Sequence, residues 1–373
     1  MTRMRKYATA VAATVSLIGL GAAMAAASEP TASLKSGKPD IKSAGPLTFG
    51  PDGILFVGDT RGAAVFAIDT GDRAAVAARK PVHVKNIAGK IAGMLGTDIR
   101  NVQVNDLAVN PASGTVYLSV SRGRGPDALP VIVRLNADGK LDELSLENVR
   151  FARAEVPNAP APGARQRGAD PRSESITDLA YVDGRLFLAG LSNEEFSSRL
   201  IAIPFPFSTE GIDGASIEIY HGAHGRLETR SPIRTFVAYR IDNQPYLLAA
   251  YTCTPLVKVP VSDLKAGAHV MGKTIAELGN RNRPLDMIVY KKDGKDFILL
   301  ANNSRGVMKI HADGAGAAEP ITQHVPNGGT RGVAFDRIAE LKGVMQLDQL
   351  DDQHAVILTS QGDTTDLVTI ELP

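Results

Sequence analysis

The sequence predicts an all-β chain folded as a six-bladed β-propeller. Three observations carry this. A hairpin unit recurs six times, Gly/Asp turns separate alternating apolar strands, and the long irregular segments fall at one end of the units. Period-two alternation gives each strand one face for a core, and Gly, Asp and Asn supply the positive φ that tight hairpin turns require.

The first unit opens with Gly45-Pro46-Leu47-Thr48-Phe49, turns at Pro51-Asp52-Gly53 and runs on through Ile54-Leu55-Phe56-Val57. The second opens at Asp106-Leu107-Ala108-Val109 and continues through Val116-Tyr117-Leu118. The third opens at Asp178-Leu179-Ala180-Tyr181 and turns at Asp183-Gly184. The fourth opens at Thr235-Phe236-Val237 and the fifth at Asp286-Met287-Ile288. The sixth is placed at Gly332-Val333-Ala334-Phe335, with Ala355-Val356-Ile357-Leu358 as its second strand.

Fourth strands are weaker, at residues 83–85, 143–149, 216–220, 274–278 and 321–325. The sixth unit has none. The unassigned residues 31–35 are therefore expected to complete the last blade, an N-terminal strand that closes the ring and removes an open sheet edge. A seven-bladed ring would need a unit within residues 71–104, but Ile87, Ile91 and Leu95 there recur at helical spacing. A β-sandwich or two stacked β-domains is the competing reading of the same hairpins.

Ahead of the repeats, Arg3, Arg5 and Lys6 precede an apolar run that closes on Ala25-Ala26-Ala27. This reads as a Sec-type signal peptide over residues 1–27, with 28–373 a single propeller domain in the periplasm or secreted. Without residues 1–27 the chain has 38 basic against 40 acidic residues, a net charge of −2. Neither nucleic acid nor an anionic membrane is indicated as partner, and no later stretch is apolar enough to span a bilayer. Cys253 is the single cysteine, so no internal disulfide can form.

The opening segments GPLTFGPDGILFVGD (45–59) and NDLAVNPASGTVYLSV (105–120) resemble the NHL-repeat and gluconolactonase/strictosidine-synthase-like propellers. The resemblance covers most of residues 45–373 and is one of architecture. It implies the propeller fold and, by position alone, a divalent cation near the channel.

In a propeller, the start of each innermost strand and the loop between the second and third strands share one face. The long segments 96–105, 150–175, 221–231 and 279–284 map there, where function usually sits. The residues opening the six units are Pro46, Asp106, Asp178, Thr235, Asp286 and Gly332. Converging carboxylates need a cation, a proton or a basic partner. Asp106, Asp178 and Asp286, with Glu194 and Asn303 as further oxygen donors, could hold a hard divalent cation such as Ca²⁺. The alternative, which the residue types favour, is that each Asp caps backbone N–H groups of the next blade or pairs with a nearby Arg.

His221, His224 and Cys253 map to one sector of this face, and two imidazoles with a thiolate suit Zn²⁺ or copper. A buried cysteine beside two surface histidines is the plainer alternative. Arg234, Arg281, Arg305 and Arg331, with Asn303, suit recognition of an anionic small molecule or a periplasmic protein. Neither a Gly-x-Ser-x-Gly elbow nor a His-Glu-x-x-His motif is present. The leading functional reading is thus a propeller that binds a small ligand or protein partner on its Arg-rich face. A metal-dependent lactonase-like hydrolase and an accessory protein of a periplasmic redox system are the alternatives.

Overall fold

The computed structural model describes residues 30–136, 138–165, 170–253, 255–362 and 364–373. The expected signal peptide lies outside the described residues.

Six four-stranded antiparallel blades surround a channel. The innermost strands, numbered by blade in chain order, are Leu47–Phe49, Val102–Val109, Asp178–Val182, Ile233–Ile241, Pro284–Lys292 and Val344–Gln349. The second strands, such as Ile54–Asp59 and Arg185–Leu191, are buried on both faces because each blade is sandwiched between two others. Six apolar clusters fill the seams, one between each pair of adjacent blades.

Those seams show that the blades are not arranged in chain order. Blade 1 packs against blades 2 and 3, and blade 2 packs against blades 1 and 6. Around the channel the order is 2-1-3-4-5-6, closing from 6 back to 2. The reason lies in the outermost strands. Blade 1 takes its fourth strand from Val149–Glu155, which pairs with Ala64–Asp69. Blade 2, with innermost strand Val102–Val109 and outermost strand Leu141–Glu143, is thereby inserted between the third and fourth strands of blade 1.

The ring closes differently from the expectation. Residues 31–35 do not reach the last blade; Lys35–Gly37 is a fifth, outermost strand on blade 1, paired with Val149–Glu155. His83–Val84 completes blade 6 instead, pairing with Thr364–Glu371. The ring is still completed by an early strand, but from the segment assigned to unit 1. No seventh blade occupies residues 71–104: Ile87–Met94 is the helix its spacing predicted, with Ile87 and Ile91 buried between blades 2 and 6.

The sixth innermost strand was misplaced. Gly332 does not open a channel strand; Thr330–Gly332 pairs with Ala268–Leu278 on the perimeter of blade 4. Phe335–Ile338 is the outermost strand of blade 5, the place expected for residues 321–325. Its apolar residues mimic an inner strand, whereas the sixth channel strand carries Gln346 and Asp348 toward the channel.

Blades 3 and 4 share more than a seam. Their outermost strands, Asp213–His221 and Ala268–Leu278, pair in parallel, fusing two blades into one continuous sheet. The adjoining seam between blades 4 and 5 contains a buried amine. Lys258 Nζ donates to the carbonyls of Ala315 and Gly316 at 2.8 and 3.1 Å, and burial lowers its pKa.

Candidate functional site

The channel mouth is built by the ends of the innermost strands. At corresponding levels the ring presents Asp106, Pro46, Asp178, Thr235, Asp286 and Gln346, so a carboxylate stands on every second blade. Asp106, Asp178 and Asp286 line one cavity of about 510 Å³, as the propeller reading predicted. They also line a smaller cavity of about 280 Å³ on the other side, which includes Asp348.

Each of these carboxylates joins two blades. Asp106 accepts the N–H of Leu107 and that of Leu47 in blade 1, at 2.8 and 2.7 Å. Asp178 accepts from Leu179 and from Phe236 in blade 4, both at 2.7 Å. Asp286 accepts from Met287 and from Leu347 in blade 6, at 2.7 and 2.8 Å. Asp348 accepts from Gln349 and from Val109 in blade 2, both at 2.7 Å. The capping role therefore describes the aspartates well: each takes one backbone donor of its own strand and one of the next blade.

Burial pushes all four carboxyls up. Asp178 and Asp348 are raised to about 6, the backbone donors opposing burial in both. Asp106 and Asp286 are also raised well above the usual range, by burial joined by repulsion from neighbouring aspartates. All four retain partial exposure, so water in the channel screens part of this effect.

Above this floor the wall carries arginine. Arg234 forms an ion pair with Glu174 and donates Nε–H to Thr252 Oγ1 at 3.0 Å. Arg283 also lines the mouth, and its guanidinium has no hydrogen-bond partner among the described residues. Burial and the charge of Arg234 lower its pKa. Gln103, Asn105, Gln346, Ser43, Ser121 and Thr177 complete a polar lining.

Other expected site residues are dispersed. Asn303 and Arg305 line a separate cavity of about 790 Å³ toward blades 5 and 6. There Asn303 accepts the backbone N–H of Arg283, and Arg305 donates to the Asn280 carbonyl. Arg281 is exposed, at a φ of +57°, and is absent from the channel lining. Arg331 sits on the perimeter strand of blade 4, for the reason given for Gly332. Glu194 bonds Asn158 and Arg199 outside the channel mouth.

The His/Cys sector assembles as expected. His221 ends the outermost strand of blade 3, and a single 3-10 turn, Gly222–His224, carries the chain to His224. This brings the two imidazoles together, tilted by 33° with centroids 3.8 Å apart. Cys253 comes from the loop between the second and third strands of blade 4, at a φ of +65°, with its N–H bonded to the Asn282 carbonyl at 2.7 Å. One nitrogen from each imidazole and the Cys253 Sγ all lie within 4.8 Å of one another.

Two carboxylates that the sequence did not point to frame this cluster. Glu228 bonds His221 Nδ1 at 2.9 Å and His224 Nδ1 at 2.7 Å, and accepts from Ser231 Oγ. Burial alone would raise Glu228, but those hydrogen bonds outweigh it and hold the carboxyl well below the usual range. Glu277 is fully buried with neither oxygen in hydrogen-bond geometry. The amides of Gly222 and Ala223 approach it, and burial nonetheless leaves its pKa raised. Gly222 is needed here, because a Cβ would come 2.8 Å from Glu277 Oε1. Gly225 holds a φ of +64° that ends the turn beside His324.

No protein-family model and no curated protein matches this chain. Similar solved structures include a Thermus thermophilus oxidoreductase described as a glucose dehydrogenase. It is 12% identical, with 90% of this chain and 100% of that chain covered, at a TM-score of 0.37. A PQQ-bound aldose sugar dehydrogenase from Streptomyces coelicolor is 10% identical over 91% of this chain and 98% of that one, at 0.36. The apo-form soluble aldose sugar dehydrogenase from Escherichia coli is 14% identical over 91% and 99%, at 0.35. At such values the likeness says nothing about the activity or cofactor of this chain.

Proposed function

We propose that this protein is an exported propeller that binds a small polar molecule in the channel mouth. The single observation carrying this reading is the Arg283 guanidinium, without a hydrogen-bond partner among the described residues, on a 510 Å³ cavity floored by three carboxyls. That volume is in the range of small-molecule sites. The side chains that line it select the chemistry. An anionic group on the ligand would meet Arg283 and Arg234, where a planar fork of donors suits a carboxylate. Hydroxyl or amine donors would meet Asp106, Asp178 and Asp286, whose oxygens each keep a lone pair after bonding the backbone.

A hydrolase with these aspartates as cation ligands is the weaker reading, since every one of their oxygens already accepts a backbone N–H, one from its own strand and one from the next blade. Binding is tested by equilibrium dialysis against a panel of small hydroxy acids, amino acids and neutral polyols. The expected result is retention of an anion-bearing member, weakened at least tenfold in Arg283→Ala and unchanged in Arg281→Ala. Retention that is indifferent to Arg283→Ala, or retention of none of the panel, would overturn it.

A further inference from the structure

We propose that His221, His224 and Cys253 bind a first-row transition-metal ion that accepts imidazole and thiolate, Zn²⁺ or copper, at the rim where blades 3 and 4 fuse.

The first support is the pre-orientation of both imidazoles. A carboxylate partner places the proton of a neutral ring on Nδ1, so His221 and His224 each keep the Nε2 lone pair. A carboxylate behind a histidine is the arrangement that fixes tautomer and ring angle in metal sites. Here one glutamate serves both rings.

The second support is an unmet need. His221 is 1% exposed, and its Nε2 is buried without a partner. A buried polar atom left without a bond is costly, and native structures rarely keep one. Close by, Glu277 is a buried carboxylate that the Gly222 and Ala223 amides approach without either oxygen reaching hydrogen-bond geometry. A cation accepting the Nε2 lone pair would meet the need at His221, and its charge would offset that of the nearby Glu277 carboxyl.

The third support is spacing. Ligands about 2.0 and 2.3 Å from a tetrahedral ion lie roughly 3.5 Å from each other. One ring nitrogen of each histidine and the Cys253 Sγ fall within 4.8 Å of one another, so side-chain adjustments of about an ångström close the site. Cys253 and His224 are partly exposed, which leaves a path for the ion. The backbone at Cys253 has a φ of +65°, which is uncommon for a residue other than Gly and is often found at functional positions.

The site also has a route to the channel. Thr252, next to Cys253, accepts from Arg234, which lines the channel mouth. The metal site and the ligand cavity are thereby linked through Thr252 and Arg234, although nothing in the metal site depends on that cavity's occupancy.

The test uses the full chain, stripped with chelator and handled anaerobically, with Co²⁺ as optical probe. One equivalent is expected to produce a thiolate-to-metal charge-transfer band, which Zn²⁺ and Cu⁺ then displace in separate arms that rank the two metals. Cys253→Ser should abolish the band. The exposed His224→Ala should weaken binding beyond roughly 100-fold, and Glu228→Gln by about 10- to 100-fold with the fold intact by circular dichroism. Absence of the band at millimolar Co²⁺, or equal affinity in Cys253→Ser and the wild type, would overturn the site. Neither result touches the Arg283 dialysis outcome.

Discussion

Asp348 in blade 6 accepts the backbone N–H of Val109 in blade 2 at 2.7 Å, and so binds together two strands 239 positions apart across the seam that closes the ring. Its other oxygen takes the N–H of Gln349. Replacing Asp348 with Ala leaves the Val109 donor without its protein acceptor. The expected cost is about 1–3 kcal/mol, read as a lower denaturant midpoint with an unchanged slope.

The same carboxylates set a pH dependence. Asp178 and Asp348 rise to about 6 in the fold from an ordinary 3.8, so the folded state binds more protons than the unfolded one between those values. Their contribution is therefore complete below pH ~4 and is lost as pH climbs through 6, by no more than about 3 kcal/mol per group before channel water reduces it. Wild type should lose more stability between pH 4.5 and 7.5 than Asp178→Asn/Asp348→Asn. Parallel stability curves for the two proteins would contradict this.

Lys258 anchors the 312–318 turn of blade 5 to blade 4 through carbonyl contacts. Lys258→Met keeps most of the apolar stem but strands those carbonyls, at about 1–3 kcal/mol. Amide hydrogen exchange should accelerate in residues 312–318 before it does in the blade strands.

Metal removal gives a fourth expectation. With free ion at 100 times its Kd, binding to the folded state alone adds about 2.7 kcal/mol. Chelation should lower the melting temperature of wild type and leave Cys253→Ser unmoved.

Local hairpins were legible in the sequence because alternation and turn chemistry act over neighbouring residues. Blade order was not, because Val149–Glu155 pairs with Ala64–Asp69 across an entire intervening blade, and nothing local marks that partner. The sixth channel strand was hidden for a related reason: a strand facing a polar channel interrupts its own apolar pattern, as Gln346 and Asp348 do. Convergence of His221, His224 and Cys253 was legible, since the loop entering the fourth unit and its second-to-third-strand loop share one sector of the face. Glu228 and Glu277 were not, because their role depends on which rings they touch.

The insertion of one blade inside another bears on how the chain matures during synthesis. Blade 1 cannot gain its edge until Glu155 has emerged, and His83–Val84 must wait for Thr364–Glu371, near the very end. Early segments thus stay unpaired longest, with sheet edges open to wrong neighbours. A nascent chain stalled just before residue 364 would hold five finished blades and a sixth with only its two inner strands, its open edge exposed to wrong pairing.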